Sequence, residues 1–172
     1  TGNLLIEKSE DKGKYIAKIQ KGRAFTENSH EHAKEKTMIV FDGDLDKAIA
    51  SFIIANGAAA MGNKVNMFFT FWGLNVLRKN EKVSVKKDFI SKMFGLMMPR
   101  GSKKLKLSKM NMMGMGSKMI RMVMKKQNVY SLEELINQAK AAGVKMIACQ
   151  MSMDVMGIKE EELIDGVEVG GV

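Results

Sequence analysis

The sequence predicts an α/β domain in which a mainly parallel sheet carries helices on both faces. Three short apolar runs, over residues 37–41, 64–70 and 144–149, are each followed by a segment with helical spacing. This alternation is typical of βαβ units, whose strands run parallel. With 172 residues, 45% of them hydrophobic, the chain is long enough for one domain with a buried core.

In the N-terminal part, the sequence pattern predicts a small element separate from the main domain. Short alternating runs over 4–7 and 14–20 flank the polar residues 10–13, a pattern that predicts a β-hairpin within residues 1–22. A lone hairpin is marginally stable in water, so it must pack on another element or domain. Residues 23–36 are polar and of mixed charge, which predicts a linker before a main domain over 37–172.

The first half of the main domain follows the alternating pattern closely. A strand over 37–41 ends at Asp42 and Gly43, and Asp44 is a candidate N-cap for a helix over 45–61. A second strand is predicted over 64–70. Further helices are predicted from residue 72 to 78, over 89–98 before Pro99, and over 112–126, with a loop at 103–108.

The second half begins with a capping box. The Ser131 side chain and Glu134 predict the start of a helix that runs to about residue 142. A third strand is predicted over 144–149, a turn or short helix over 150–157, an acidic helix over 158–164 and a last strand over 166–172.

The charge of +9 is concentrated in the middle of the chain. Residues 78–126 contain 15 Lys and Arg against 2 Asp and Glu, and ten of the 17 methionines lie between Met93 and Met124. A basic, Met-rich segment over 93–126 fits contact with a membrane surface or an acidic partner. The alternative is a solvated lysine face over an ordinary core stripe. We expect no nucleic acid, because Phe89 and Phe94 are the only aromatic residues within 78–126.

The single cysteine, Cys149, excludes an internal disulfide and every multi-cysteine metal site. A reducing, cytoplasmic location is therefore expected. No apolar run approaches the roughly 18 residues of a membrane span, so membrane contact would be peripheral. His30 and His32 are interpreted as surface residues, and we expect neither a metal nor a cofactor.

The candidate site lies where the parallel strands end. Residues 42–44, 70–73 and 149–152 follow the three predicted strands, and the carboxyl ends of such strands are where sites form. Cys149 is the candidate nucleophile, because backbone N–H groups at a helix start would lower its pKa. The Cys149 thiol could carry a persulfide, transfer an acyl group or form a disulfide with a partner. The alternative is a small buried apolar residue.

The acidic run after the first strand allows a second hypothesis. Asp42 and Asp44 resemble the phosphatase motif of haloacid dehalogenases, in which the first Asp is the nucleophile and Mg²⁺ lies between the two. Asp46 stands where that motif has Thr or Val. A helix N-cap with extra acid in its first turn explains the same residues.

Three motifs together resemble the DsrE/DsrF-like sulfur-relay family, in its peroxiredoxin-like second subgroup of sulfurtransferases. They are residues 39–48 (IVFDGDLDKA) with 55–62 (ANGAAAMG), residues 67–75 (MFFTFWGLN) and residues 148–157 (ACQMSMDVMG). The Met-rich stretch 107–116 (LSKMNMMGMG) also fits that subgroup. The resemblance covers residues 37–172.

The resemblance implies a flavodoxin-like three-layer α/β/α sandwich that forms homo-oligomers. It implies that Cys149 receives sulfane sulfur as a persulfide and passes it to a partner thiol. Gln150 and Ser152 would stabilise the sulfur, and Asn56, Thr70 and Trp72 would shape the pocket. Asp42 also matches the motifs, and its role is a prediction.

The implied partners are TusA-type sulfur carriers and rhodanese-type sulfurtransferases. The N-terminal hairpin resembles the closing strands of a TusA-type domain, so we expect it to be the remnant of such an upstream domain. Three hypotheses follow in order: a persulfide carrier, a binding or assembly module that uses segment 93–126, and a phosphatase dependent on Asp42.

Overall fold

The computed structural model describes residues 4–11, 14–20 and 34–171. The chain divides into two compact units, Thr1–Ala33 and Lys34–Val172. In the first unit, β1 (Leu4–Asp11) and β2 (Lys14–Gln20) pair antiparallel, with an irregularity in register between Leu5 and Glu7. This confirms the predicted hairpin, while its origin in a TusA-type domain stays a prediction. The predicted linker, apart from residues 34–36, lies outside the described residues, as do His30 and His32.

The second unit is built on a parallel sheet of four strands. These are β3 (Glu35–Val40), β4 (Lys64–Phe69), β5 (Lys145–Cys149) and β6 (Val167–Gly170), and they lie in that order across the sheet. Every neighbouring pair is parallel. Their carboxyl ends therefore meet at one edge, as the sequence predicts.

Within residues 34–171, five α-helices connect these strands. They are α1 (Leu45–Ala60), α2 (Phe89–Met97), α3 (Met115–Lys126), α4 (Leu132–Ala141) and α5 (Gln150–Met156). Four 3-10 segments accompany them, at Phe71–Leu77, Ser102–Lys104, Met112–Gly114 and Glu160–Glu162. Ser131 caps α4 with the predicted capping box, in which the Ser131 hydroxyl accepts from the Glu134 N–H and the Ser131 N–H donates to the Glu134 carboxylate at 2.7 Å.

The core lies between the sheet and the pair α1 and α4, which pack against each other. Phe52 of α1 meets Phe69 of β4 with ring centroids 6.0 Å apart, and both rings are fully buried. Burial of such large apolar side chains is the main source of stability. The architecture confirms the predicted flavodoxin-like α/β class.

Some elements differ from the predictions, for local reasons. The predicted helix over 112–126 begins only at Met115, because Met113 and Gly114 adopt positive φ values of 56° and 95°. Such left-handed residues do not continue an α-helix. The predicted helices over 72–78 and 158–164 are short 3-10 segments instead.

The basic, Met-rich segment does not bury a core stripe along α3. Gly116 is the one buried residue of α3, whereas Met115, Met119 and Met122 are all more than half exposed. The alternative predicted for the segment, a lysine face over an ordinary core stripe, therefore does not hold along α3, although Met98 and Leu105 earlier in the segment lie in the core.

Candidate functional site

The ends of β3, β4 and β5 converge at one edge of the sheet. The Thr70 N–H donates to the Val40 carbonyl at 3.0 Å, which ties the end of β4 to the end of β3. A Cβ at Gly73 would lie 2.1 Å from the Val40 carbonyl oxygen, so only glycine allows the two loops to approach this closely. The strand-end segments predicted from the sequence are thus neighbours in the structure.

Cys149 is the last residue of β5 and directly precedes α5. Its apolar strand neighbours place it at the rim of the core, and the side chain is only 3% exposed. The short β5–α5 junction brings the N–H groups of Met151 and Ser152 back toward the sulfur, as at any helix start.

The surroundings of the thiol favour its ionised form. Burial raises the pKa of Cys149, but hydrogen bonds from the Ser152 hydroxyl and N–H, the Thr70 hydroxyl and the Met151 N–H together outweigh this effect. The pKa of Cys149 therefore lies below its ordinary value. Because the thiolate is the nucleophile, this lowering raises the reactive fraction at neutral pH.

Thr70 and Ser152 form a hydroxyl pair beside the sulfur. Their Oγ atoms are 2.7 Å apart, and Ser152 is fully buried. Thr70 follows β4 and Ser152 lies in the first turn of α5, so the pair joins two strand ends. The structure therefore brings these two predicted site residues to Cys149.

Gln150 and Trp72 lie at the same edge but turn toward the surface. The Gln150 side chain donates to the Asp154 carboxylate at 3.0 Å along α5 and is exposed. Trp72 is 54% exposed, and its neighbour Phe71, with φ 44°, is 47% exposed. These residues surround the strand ends as an aromatic and polar rim, and their roles as pocket residues stay predictions.

The side chain of Asn56 forms a hydrogen bond between two helices, away from the strand ends. It lies on α1 and donates to the Leu135 carbonyl of α4 at 3.0 Å. The contact links the two helices that cover the sheet. A role for Asn56 in shaping the pocket stays a prediction.

Asp42 and Asp44 are engaged by a lysine that sequence reasoning did not single out. Lys47 forms ion pairs with both carboxylates, and Asp42 also accepts from the Asp44 N–H at 3.0 Å. The hydrogen bond from Lys47 lowers the pKa of Asp42. The sequence does contain a signal for this ion pair, because Lys47 lies three residues after Asp44, at the start of α1, and residues at this spacing face each other on a helix.

The third acidic residue of this run, Asp46, binds the loop that contains Ser108. Its carboxylate accepts from the Ser108 N–H at 2.9 Å and from the Ser108 hydroxyl at 2.6 Å. Among the residues that the structure describes, no group of three His, Cys, Asp or Glu side chains is arranged to hold a metal ion. Asp44 occupies the N-cap position of α1, but its side chain makes no capping hydrogen bond. The phosphatase hypothesis stays a prediction.

Comparison with known proteins identifies the family of the chain. The model of the DsrE/DsrF/DrsH-like family matches residues 32–172. The chain belongs to this family. The resemblance predicted from the three motifs is therefore confirmed.

Two relatives match this DsrE-like chain over most of their length. The uncharacterized protein YrkE of Bacillus subtilis (strain 168) is 56% identical over 142 residues, which is 83% of this chain and 89% of YrkE. The sulfur carrier protein DsrE2 of Allochromatium vinosum is 41% identical over 142 residues, or 80% of this chain and 87% of that protein.

The crystal structure of the ychN protein from E. coli is a more distant match. It covers 81% of this chain and 86% of its own, with 11% identity and a TM-score of 0.44.

Proposed function

We propose that this protein is a sulfur carrier, in which Cys149 takes up sulfane sulfur as a persulfide and passes it to a partner thiol. The observation that carries the proposal is a buried thiol at a strand end, with its pKa lowered by Ser152, Thr70 and Met151. A family relative, 41% identical, is named a sulfur carrier. The function fits the chemistry of a single cysteine that has no internal partner for a disulfide.

The proposed cycle has two displacement steps. The Cys149 thiolate attacks the outer sulfur of a donor persulfide, so that a new S–S bond forms and the donor leaves as its thiolate. An acceptor thiolate then attacks the outer sulfur of the Cys149 persulfide, and Cys149 leaves as thiolate. The transferred sulfur keeps its oxidation state throughout, so neither an oxidant nor a reductant is consumed.

The site supports both steps because Cys149 acts as a thiolate in each. It attacks the donor in the first step and leaves in the second. A thiolate with a lowered pKa is both available at neutral pH and a better leaving group. The hydroxyls of Thr70 and Ser152 can also donate to the terminal sulfur of the persulfide, which carries the negative charge.

Cyanolysis tests the proposal. Cyanide removes the outer sulfur of a persulfide as thiocyanate, so the yield counts the loaded cysteines. After incubation with glutathione persulfide and desalting, we expect close to one equivalent of thiocyanate per chain from the wild type and none from Cys149→Ser. The Ser51→Ala variant, which removes a hydroxyl on α1, is the matched control and should load normally. Equal yields from the wild type and Cys149→Ser would refute the proposal.

The partners of such a carrier would be other sulfur-relay proteins. We propose TusA-type carriers or rhodanese-type sulfurtransferases as donor and acceptor, in the cytoplasm. We also propose that the chain forms homo-oligomers, since Ile39 of the edge strand β3 and Phe41, directly after that strand, are about two-thirds exposed. Large exposed apolar side chains at a sheet edge are typical of a surface covered by another copy.

Segment 93–126 supports a second candidate function, that of a binding module at a membrane surface. Many of its apolar side chains are strongly exposed, with Leu96 at 86%, Met97 at 77% and Met113 fully exposed, and lysines are interspersed among them. Apolar side chains combined with basic charge are typical of interfacial binding. None of the helices among the described residues combines the length and the apolar composition of a membrane span.

Vesicle sedimentation distinguishes this function from sulfur transfer. We expect the protein to bind vesicles that contain anionic phospholipid, to bind neutral vesicles less, and to dissociate as salt rises. Leu96→Ser with Met97→Ser should weaken binding, whereas Ile53→Ser with Ile54→Ser, which removes two apolar side chains at least half exposed on α1, should not. Binding should persist in Cys149→Ser. Equal binding by both double variants would reject segment 93–126 as the contact surface.

A further inference from the structure

Glu162 is a buried carboxylate surrounded by three cations. Its Oε1 accepts from Arg78 Nη2 at 3.1 Å and pairs with Arg100 Nη2 at 3.7 Å, while its Oε2 accepts from Lys87 Nζ and from the Lys159 N–H. The side chains of Arg78, Glu162 and Lys87 are at most 6% exposed, and that of Arg100 is 18% exposed. This group lies outside the strand-end site.

The charge of this cluster does not balance. One carboxylate faces two guanidinium groups and one ammonium, which leaves two positive charges in excess among four buried or nearly buried side chains. Burial lowers the pKa of Arg78, and the positive charge of Arg100 adds to that lowering although Glu162 opposes it. Buried charge without a partner is costly, so a site of this kind favours a bound anion.

Two of the guanidinium nitrogens also lack partners. Arg100 Nη1 and Arg78 Nε are buried, and neither finds a hydrogen-bond acceptor among the described residues. Buried donors in native proteins are almost always satisfied, by protein, water or ligand. The unmatched donors lie on the same residues that carry the excess charge.

A cavity of about 630 Å³ adjoins the cluster, between the loop that precedes α2, α2 itself and the turn that follows it. Its volume lies in the range of small-molecule sites. Five cationic side chains and one carboxylate line it: Lys82, Lys87, Lys92, Arg100, Lys104 and Glu162. Leu96, Met98 and Pro99 form an apolar part of its wall.

Backbone contacts hold Arg100 in place. Gly101, with φ 75°, donates its N–H to the Asn75 carbonyl at 3.2 Å, and a Cβ there would lie 2.7 Å from the Arg78 carbonyl oxygen. Asn80 Oδ1 accepts from the Lys103 N–H at 3.0 Å. The turn that carries Arg100 is therefore fixed against the segment that carries Arg78, and a fixed guanidinium is suited to selective anion binding.

We propose that this cavity binds a divalent tetrahedral oxyanion group of the sulfate, thiosulfate or phosphate type. The planar guanidinium of Arg100 suits two-point contact with such oxygens, and the lysines supply further charge. The group is either a free inorganic anion or the acidic end of an organic ester whose body contacts Leu96 and Met98.

The proposed site is separate from Cys149. Ser91, which lines the cavity, packs against Gly157 at the carboxyl end of α5, whereas Cys149 precedes the amino end of the same helix. Seven helical residues separate the two ends by about 10 Å. Anion binding therefore requires no reaction at the thiol and does not depend on the sulfur-carrier proposal.

Calorimetric titration at constant ionic strength tests the proposal, with sodium sulfate, thiosulfate, phosphate and phenyl phosphate as probes and chloride as the reference anion. We expect saturable binding of one divalent anion per chain and none of chloride. Tighter binding of phenyl phosphate than of phosphate would identify an organic ester as the ligand type, and the reverse order an inorganic anion. No saturable binding of any probe would overturn the proposal.

Two triple variants separate the site from general surface charge. K82Q/K92Q/K104Q removes three lysines of the cavity, and K86Q/K103Q/K109Q removes three exposed lysines that do not line it. We expect at least a tenfold loss of affinity in the first and little change in the second. Arg100→Gln should also lose binding, and Cys149→Ser should retain it. An equal loss in both triple variants, each checked for folding by circular dichroism, would contradict the site.

Discussion

The hydroxyl oxygens of Thr70 and Ser152 lie 2.7 Å apart, although 82 positions separate the residues in sequence. The pair forms because β4 and β5 are adjacent parallel strands, so the residues after them share one edge of the sheet. Both hydroxyls lower the pKa of Cys149. The reactivity of the thiol therefore depends on an interaction between two βα junctions.

Removing either hydroxyl should make the thiol less acidic. In Ser152→Ala and Thr70→Val, burial still disfavours the thiolate while a stabilising hydrogen bond is lost, so the midpoint of alkylation rate against pH should move upward. At pH 7 we expect alkylation several-fold slower than in the wild type, whose midpoint lies below the ordinary thiol value. Iodoacetamide kinetics across pH measure this. An unchanged midpoint in both variants, with Ser51→Ala as control, would show that the pair does not tune the thiol.

Gly73 should be intolerant of any side chain. A Cβ there would lie 2.1 Å from the Val40 carbonyl oxygen, so Gly73→Ala must separate the ends of β3 and β4. We expect a loss of about 1–3 kcal/mol in the free energy of unfolding. Urea unfolding measures the loss.

Gly57 provides the matched comparison. It lies within α1, and a Cβ there meets nothing within 4 Å. Gly57→Ala should therefore stabilise the protein by about 0.5–1 kcal/mol, through helix propensity. Equal effects at the two glycines would contradict the close approach of the strand ends.

Glu162 should be a major contributor to stability. Glu162→Gln leaves Arg78, Lys87 and Arg100 without their shared anion, and breaking a buried ion pair costs about 3–5 kcal/mol. The exposed neighbour Glu161 is the control, and Glu161→Gln should change the free energy of unfolding by no more than about 0.5 kcal/mol. Urea unfolding at pH 7 compares the two, and similar midpoints would refute the role of Glu162.

The same residue predicts how stability depends on pH. Burial raises the pKa of Glu162, but the hydrogen bond from Lys87, with further groups, outweighs it, so the folded pKa lies below 4.5. A depressed folded pKa contributes stability that is present above the unfolded value and is lost as pH falls through the folded value. Between neutral pH and strongly acidic pH, the wild type should therefore lose more stability than Glu162→Gln. If the wild type and Glu162→Gln lost the same free energy of unfolding between neutral and strongly acidic pH, this linkage would be contradicted.

Sequence patterns predicted the elements that depend on local periodicity and topology. The three apolar runs became β3, β4 and β5, and the parallel arrangement followed from the helices between them. The convergence of Asp42, Thr70 and Cys149 at one sheet edge is a consequence of that topology. The capping box at Ser131 could also be predicted from the sequence, because its partner Glu134 lies only three residues away.

Interactions between residues distant in sequence could not be predicted in the same way. The Glu160–Glu162 segment has the composition of a solvated helix face, yet Glu162 is buried against Arg78, 84 residues earlier. Asn56 matches a family motif, but its described bond to the Leu135 carbonyl depends on how α1 packs on α4. Such partners are set by tertiary packing, which a single sequence does not display.

Intact-mass spectrometry tests the sulfur-carrier function most directly. After incubation with a sulfane sulfur donor, the account predicts a gain of one sulfur atom, mapped by proteolysis to the peptide that contains Cys149 and reversed by a thiol reductant. Cys149→Ser should show no gain while it retains the wild-type circular dichroism spectrum. No gain in the wild type, together with a Cys149 that resists alkylation until the protein unfolds, would show that the thiol is structural and would contradict the account.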